Sequence, residues 1–172
     1  ARYQFNASHS YAYSMTTYLT AYCKTHFPLK FYKSWLNHSY DKIKPLEVIR
    51  NLVIDARSFD VDILNPDLRL LNKDFIEKEG RLYFGLEYIK GVGSNATRSL
   101  TTLANEFDLD TLIWVELLFK VLLNVNMEST KRLIGTGALD YLKIPREQML
   151  FEHDICLKFT KKELDWMVNN LD

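Results

Sequence analysis

The stretch Ile89-Lys90-Gly91-Val92-Gly93-Ser94-Asn95-Ala96 decides how this chain is read. An apolar segment ends at Ile89, two glycines bracket Val92, and a helical pattern resumes from Ser94. Ile89, Val92, Ala96 and Leu100 carry the apolar spacing through the turn, so the two helical segments are expected to fold back on one another. Glycine permits the tight turn and lets an outside group come close to the backbone. The amides that open the second helix have no intrahelical acceptor and suit a phosphate oxygen. Such contacts fix position without reading base identity.

This is the pattern of a helix-hairpin-helix, and its candidate DNA-binding residues are Lys90, Gly91, Val92, Gly93, Ser94, Asn95 and Arg98. The same residues also fit a tight helix–helix turn with no ligand. A second copy is read at Leu133-Ile134-Gly135-Thr136-Gly137-Ala138, with Gly135 and Gly137 as the turn glycines and Lys131 and Arg132 as added charge. The alternative there is a helix ended by a glycine in the left-handed region.

Working outward, the fold class is mainly α with a small β element (α+β). Ser10 to Lys24 reads as a helix, Pro28 starts a second that runs to Asn37, and Pro45 opens a third to about Phe59. In the third, Leu46, Ile49, Leu52, Val53 and Ala56 make the apolar face. Val61 to Leu64 reads as a short strand ending in the turn Asn65-Pro66-Asp67. Asp74 to Glu77 and Arg81 to Phe84 flank Glu79-Gly80 as a hairpin. Further helices are expected near 86–90, 94–105, 109–124, 127–134, 146–153 and 160–171. Thr160 and Glu163 form a capping-box pattern for the last.

The 172 residues are 47 % apolar and 26 % charged, with 22 bases balancing 22 acids, which excludes a disordered chain and a bulk polycation. The charge is uneven. Residues 1–50 hold seven bases (Arg2, Lys24, Lys30, Lys33, Lys42, Lys44 and Arg50) against Asp41 and Glu47, whereas Asp55 to Glu79 is acidic. A basic first segment suits a polyanion, and equally a solvated helix face. Cys23 and Cys156 have no metal-ligand spacing and read as free thiols of a reducing, cytoplasmic compartment. Leu109 to Val125, the most apolar stretch, carries Glu116 and Lys120 and reads as a buried helix rather than a membrane span. The start at Ala1, without Met and without an apolar leader, reads as a fragment or a processed product.

No catalytic set stands out. His9, His26, His38 and His153 lack partners at ligand spacing. Asp60 and Asp62 form an Asp-x-Asp pair of the kind that holds two metals, but with no third carboxylate they read as solvent-facing strand residues. Glu147-Gln148-Met149-Leu150-Phe151 is similar to a sliding-clamp-binding peptide, with Glu where such peptides carry Gln, and reads better as an amphipathic helix.

The opening Phe5-Asn6-Ala7-Ser8-His9-Ser10-Tyr11-Ala12-Tyr13 resembles the "FNKSHSxAY" motif of C-family bacterial DNA polymerases, the family of the polymerase III alpha subunits. Ala21-Tyr22, Lys24, His26, Pro28 and Phe31-Tyr32 follow in the family's order. So do Asp55-Ala56-Arg57, Ile63 to Asp67, the "GLxxIKGVG" match from Gly85 to Gly93, and Leu133-Ile134 with Gly137-Ala138 and Asp140. The agreement runs over about residues 3–151. The resemblance implies that residues 1–64 are the C-terminal part of polymerase fingers. Residues 65–85 would be a connector, 86–145 a tandem helix-hairpin-helix region that grips primer-template duplex DNA, and 146–172 C-terminal helices. It implies DNA-directed DNA polymerase activity for a larger protein, with this chain inactive alone, since the Mg2+-binding aspartates belong to a palm domain upstream. No cofactor is therefore expected in this chain. Asn6, Ser8 and His9 would line the nucleotide or template side of the fingers. Partners implied are duplex DNA, the remaining polymerase domains and, through regions the match does not cover, a sliding clamp; no membrane is implied. A separate polymerase half that assembles with a palm-containing chain is the alternative. Ala7 replaces the motif's Lys, Asn65 replaces a Pro, and Met127-Glu128 replaces a basic pair that Lys131 and Arg132 follow one turn later. These departures fit a divergent member, bacterial or viral.

Overall fold

A computed structural model describes residues 6–170. It is mainly helical with one small sheet, and it divides into two compact units. The first comprises residues up to Ile63 together with Glu77–Leu82, and the second Leu64–Ile76 with Tyr83 onward. Arg2, Tyr3 and Phe5, which carry part of the opening motif and of the N-terminal charge, lie outside the described residues.

The first unit is built on α1 (Ala7–His26), α2 (Pro28–Asn37) and α3 (Pro45–Arg57). Both prolines stand at the first helical turn, where the missing N–H is no loss. Tyr32, Leu36, Ile49, Leu52, Ala56 and Leu82 are buried in its core, whereas Leu46, expected on the apolar face of α3, is exposed. One polar knot ties the three helices. Lys24 Nζ stands 2.6 Å from Asp55 Oδ2 and above the Phe59 ring, and the Tyr32 hydroxyl donates to Asp55 Oδ2 at 2.7 Å. α1 otherwise contributes no fully buried residue.

Hydrogen bonds from Lys24 and Tyr32 hold the Asp55 carboxyl below its ordinary value. A lowered folded-state pKa stabilises above the unfolded value, about 4, and that stability is lost as pH falls through the folded one. Asp55→Asn is therefore expected to flatten the acid limb of stability, measured as urea midpoints from about pH 5 to pH 2. An acid limb as steep as that of the parent would rule out Asp55 as its source.

Three short strands, β1 (Ile63–Leu64), β2 (Ile76–Lys78) and β3 (Arg81–Tyr83), form a sheet in the order β1-β3-β2. Leu82 N donates to Asp62 O and Phe84 N to Leu64 O, an advance in one direction that makes β1 and β3 parallel. The β2–β3 turn has positive φ at both Glu79 (54°) and Gly80 (74°), the type I′ geometry that matches strand twist.

The second unit packs α4 (Ser94–Glu106), α5 (Trp114–Asn124), α6 (Met127–Thr136), α7 (Arg146–Cys156) and α8 (Lys161–Val168) about one apolar core. Two expected boundaries are corrected. The segment 86–90 makes only a single 3-10 turn, Leu86–Tyr88. The helix expected from 109 starts at Trp114, because Asp108 Oδ1 accepts from Asp110 N and closes a local turn that competes with helix. The capping box at the start of α8 is formed in full by Thr160 and Glu163. The Glu147-to-Phe151 segment lies in α7 with Met149 fully buried, so it is not presented as an extended peptide.

Candidate nucleic-acid interface

The site grows from a four-residue turn in the second unit. Val92 N donates to Ile89 O at 2.9 Å, and Gly91 stands at the third position with φ of 95°. That is a type II turn, whose third residue must reach positive φ and so favours glycine. Ile89 and Val92 are buried and pin the turn from below. Lys90, Gly91, Gly93, Ser94 and Asn95 are left exposed above them.

Gly93 is the N-cap of α4, in ordinary extended backbone (φ −99°), and contributes no side-chain cap. The first intrahelical bond is Thr97 N to Gly93 O, so the amides of Ser94, Asn95 and Ala96 belong to the open first turn. Gly93 needs no glycine for its own fold. A Cβ built there meets nothing within 4 Å, and its φ is accessible to any residue. Lys90 and Arg98 are exposed near this turn and enter no ion pair among the described residues. The arrangement offers open amides, a bare backbone and two free cations, a combination suited to a phosphate oxygen.

A matching helix start recurs between α5 and α6, at Asn124-Val125-Asn126, although the chain enters it straight from α5, with Val125 N bonded to Val121 O and no residue at positive φ. Val125 is buried as Val92 is. Thr130 N and Oγ1 both return to Asn126 O, as Thr97 N and Oγ1 return to Gly93 O. Leu133 and Leu100 are both buried in the core. This is the second hairpin, and it corrects the expectation that placed it at Leu133 to Ala138. Gly135 lies inside α6, and Gly137 ends that helix with φ of 86°. Its N–H bonds to Ile134 O, and Ala138 N bonds to Leu133 O, the left-handed cap.

Gly137 makes room for a polar cluster. A Cβ there would stand 2.6 Å from Asp140 Oδ2 and strike the Arg146 guanidinium. Arg146 Nε donates to Asp140 Oδ1 at 2.8 Å and its Nη1 to Gly135 O at 3.3 Å. The guanidinium, helped by a hydrogen bond from Asn65, holds the Asp140 carboxyl below its ordinary value.

The second hairpin differs from the first in its electrostatics. Asn126 Oδ1 accepts from Ser129 N at 2.8 Å, closing one amide of the first turn. Glu128 adds a carboxylate there and receives Arg132 Nε at 2.7 Å. Lys131 Nζ lies 3.1 Å from Asp154 Oδ1. Of the four cations expected to serve DNA, Lys90 and Arg98 enter no ion pair among the described residues, and Lys131 and Arg132 are engaged by carboxylates.

Asn6, Ser8 and His9 belong to the first unit. Asn6 precedes α1 without a side-chain cap, Ser8 and His9 lie in its first turn, and all three are exposed. The His9 ring stacks edge-on against Tyr13 at 4.4 Å. Asp60 sits in a turn with φ of 54° and Asp62 is exposed. Among the described residues no three His, Cys, Asp or Glu side chains gather as a metal site, and no helix is long and apolar enough to cross a membrane.

A family model of the helix-hairpin-helix motif matches residues 60–149. The DNA polymerase III subunit alpha of Aquifex aeolicus is 33 % identical over 160 residues, covering 87 % of this chain and 13 % of that protein. That of Thermus aquaticus is 39 % identical over 101 residues, covering 58 % of this chain and 8 % of that one. That of Helicobacter pylori strain 26695 is 29 % identical over 165 residues, covering 90 % and 13 %. The chain thus spans only a small part of these relatives. The match of the family model, the two hairpins it encloses and this series of relatives together make the chain a member of the helix-hairpin-helix family, in the form carried by DNA polymerase III alpha subunits.

Proposed function

We propose that the second unit binds the backbone of primer-template duplex DNA without reading its sequence, as part of a replicative polymerase. The observation that carries this reading is Gly93: neither its backbone nor its own packing calls for glycine, yet a bare Cα faces outward beside open amides. A closely approaching partner accounts for it. The names of the relatives support the polymerase context.

Fluorescence anisotropy of the full chain on a labelled primer-template tests it. The affinity is expected to fall with added salt, with a log–log slope on the order of −2 if Lys90 and Arg98 each neutralise one phosphate. Unrelated duplexes are expected to compete equally well, and Lys90→Ala with Arg98→Ala to remove most of the slope. A chain that shifts no duplex even at low salt refutes the reading.

Within the same proposal, residues 1–64 form the C-terminal part of the fingers, with Asn6, Ser8 and His9 toward nucleotide or template. Nucleotidyl transfer, in this reading, belongs to the larger protein, of whose relatives this chain spans a small part. A second reading, a polymerase half that docks onto a palm-containing partner chain, is favoured by α1. That helix exposes Tyr11, Tyr13, Tyr18 and Leu19, each by more than half its surface. Apolar and aromatic area of this extent on one helix suits a surface covered in an assembled state.

A further inference from the structure

We propose that the second hairpin is a support for the first, and that Ser129 is the positioning residue through which it acts. This rests on the reading of the first hairpin as a phosphate grip. Ser129, buried in the first turn of α6, donates its hydroxyl to Gly91 O at 2.6 Å. Gly91 is the residue at positive φ in the turn that presents the Gly93 backbone. Beside it runs the Arg132 stem, whose Cγ would stand 3.5 Å from a Cβ built on Gly91. The grip is therefore shaped from α6 as well as by its own sequence.

The start of α6 is arranged for this task. Its Ser129 amide is taken by Asn126 Oδ1, and Glu128 would repel an anion where the first hairpin has Asn95. The Ser129 side chain, by contrast, is turned inward to the neighbouring turn. The repeat itself shows that the hydroxyl is not needed to build such a helix start, because Ala96 occupies the equivalent place on α4 and is likewise buried.

Ser129→Ala is thus expected to fold. The test reads hydrogen exchange at the Val92 amide and, separately, affinity for a labelled duplex. Removing the hydroxyl is expected to speed exchange at Val92 about five-fold and weaken duplex binding by a similar factor, the ordinary worth of one such bond. Ser129→Thr and Ser129→Val, alike in shape and differing in the hydroxyl, are expected to separate in the same way should the alanine variant unfold. In a double-mutant cycle with Gly93→Asn, the loss from Ser129→Ala is expected to shrink, since both act on one grip; a general structural effect would simply add.

Unchanged exchange at Val92 overturns the support itself. Faster exchange with unchanged duplex affinity overturns its link to the grip. If the parent chain binds no duplex, the proposed function fails, and exchange still decides whether Ser129 holds the turn.

Discussion

Gly93→Asn is expected to weaken duplex binding at least ten-fold while leaving the fold as stable as before or slightly more so. The free chain has room for the substitution: the added Cβ meets nothing within 4 Å. Asparagine is also a better N-cap than glycine, by a few tenths of a kcal/mol. The molecule already contains the result, since Asn126 caps α6 through the Ser129 amide. At position 93 the same side chain would close an amide that a phosphate needs and stand in the path of the backbone approaching it. A lost hydrogen bond to a charged oxygen is worth about 1.5–3 kcal/mol, or roughly ten-fold to a hundred-fold in affinity. Anisotropy titrations and a melting curve of the same sample measure both effects. Wild-type affinity in a correctly folded Gly93→Asn chain would remove the first hairpin from the interface.

Gly85→Ala is expected to produce the largest loss of stability, about 3 kcal/mol in the second unit. Gly85 is buried with ordinary backbone angles, so conformation does not demand glycine here. Space does. A Cβ would strike Lys73 O and stand 2.7 Å from the Asp74 carbonyl carbon, which are backbone atoms with no rotamer to escape into. Making room means parting two backbone bonds, Leu86 N to Asn72 O and Glu87 N to Lys73 O. The Asn72 side chain, which donates to both Asp74 O and Phe84 O, would be pulled at both ends. At this size of domain such a loss lowers the melting temperature by roughly 10–20 °C. A melting temperature within two or three degrees of the parent would show that the strand-to-turn backbone yields cheaply.

These two glycines show what was legible in the sequence. Gly91 and Gly93 could be read as a hairpin because helix-period apolar residues flank them on both sides. Gly85 could be read only as part of a family resemblance, since close approach to Lys73 and Asp74 is a tertiary fact. The second hairpin was misplaced for a related reason. Gly135 and Gly137 have the look of the first turn, but they serve a helix interior and a helix end. The true turn, Asn124-Val125-Asn126, has no glycine. The signal that would have found it is the recurrence of Val, Thr and Leu at matched steps: Val92, Thr97 and Leu100 against Val125, Thr130 and Leu133. The late start of α5 was hidden because Leu109 and Leu112 are buried as a helix face would be, although the chain there is a turn. Capping chemistry was legible throughout: prolines at the heads of α2 and α3, and the Thr160–Glu163 box, act within a few residues and need no tertiary knowledge.

The bond from Ser129 to Gly91 has a practical consequence for anyone wishing to transplant the grip. A peptide covering residues 86–106 would keep both glycines, Lys90 and Arg98, yet lose the hydroxyl that holds the Gly91 carbonyl and the core that buries Ile89 and Val92. Its one helix, 13 residues long, is marginal in water without tertiary support. The smallest portable cassette is therefore the pair of hairpins, and a graft into another scaffold has to carry the start of α6 along with the Gly91-to-Gly93 turn.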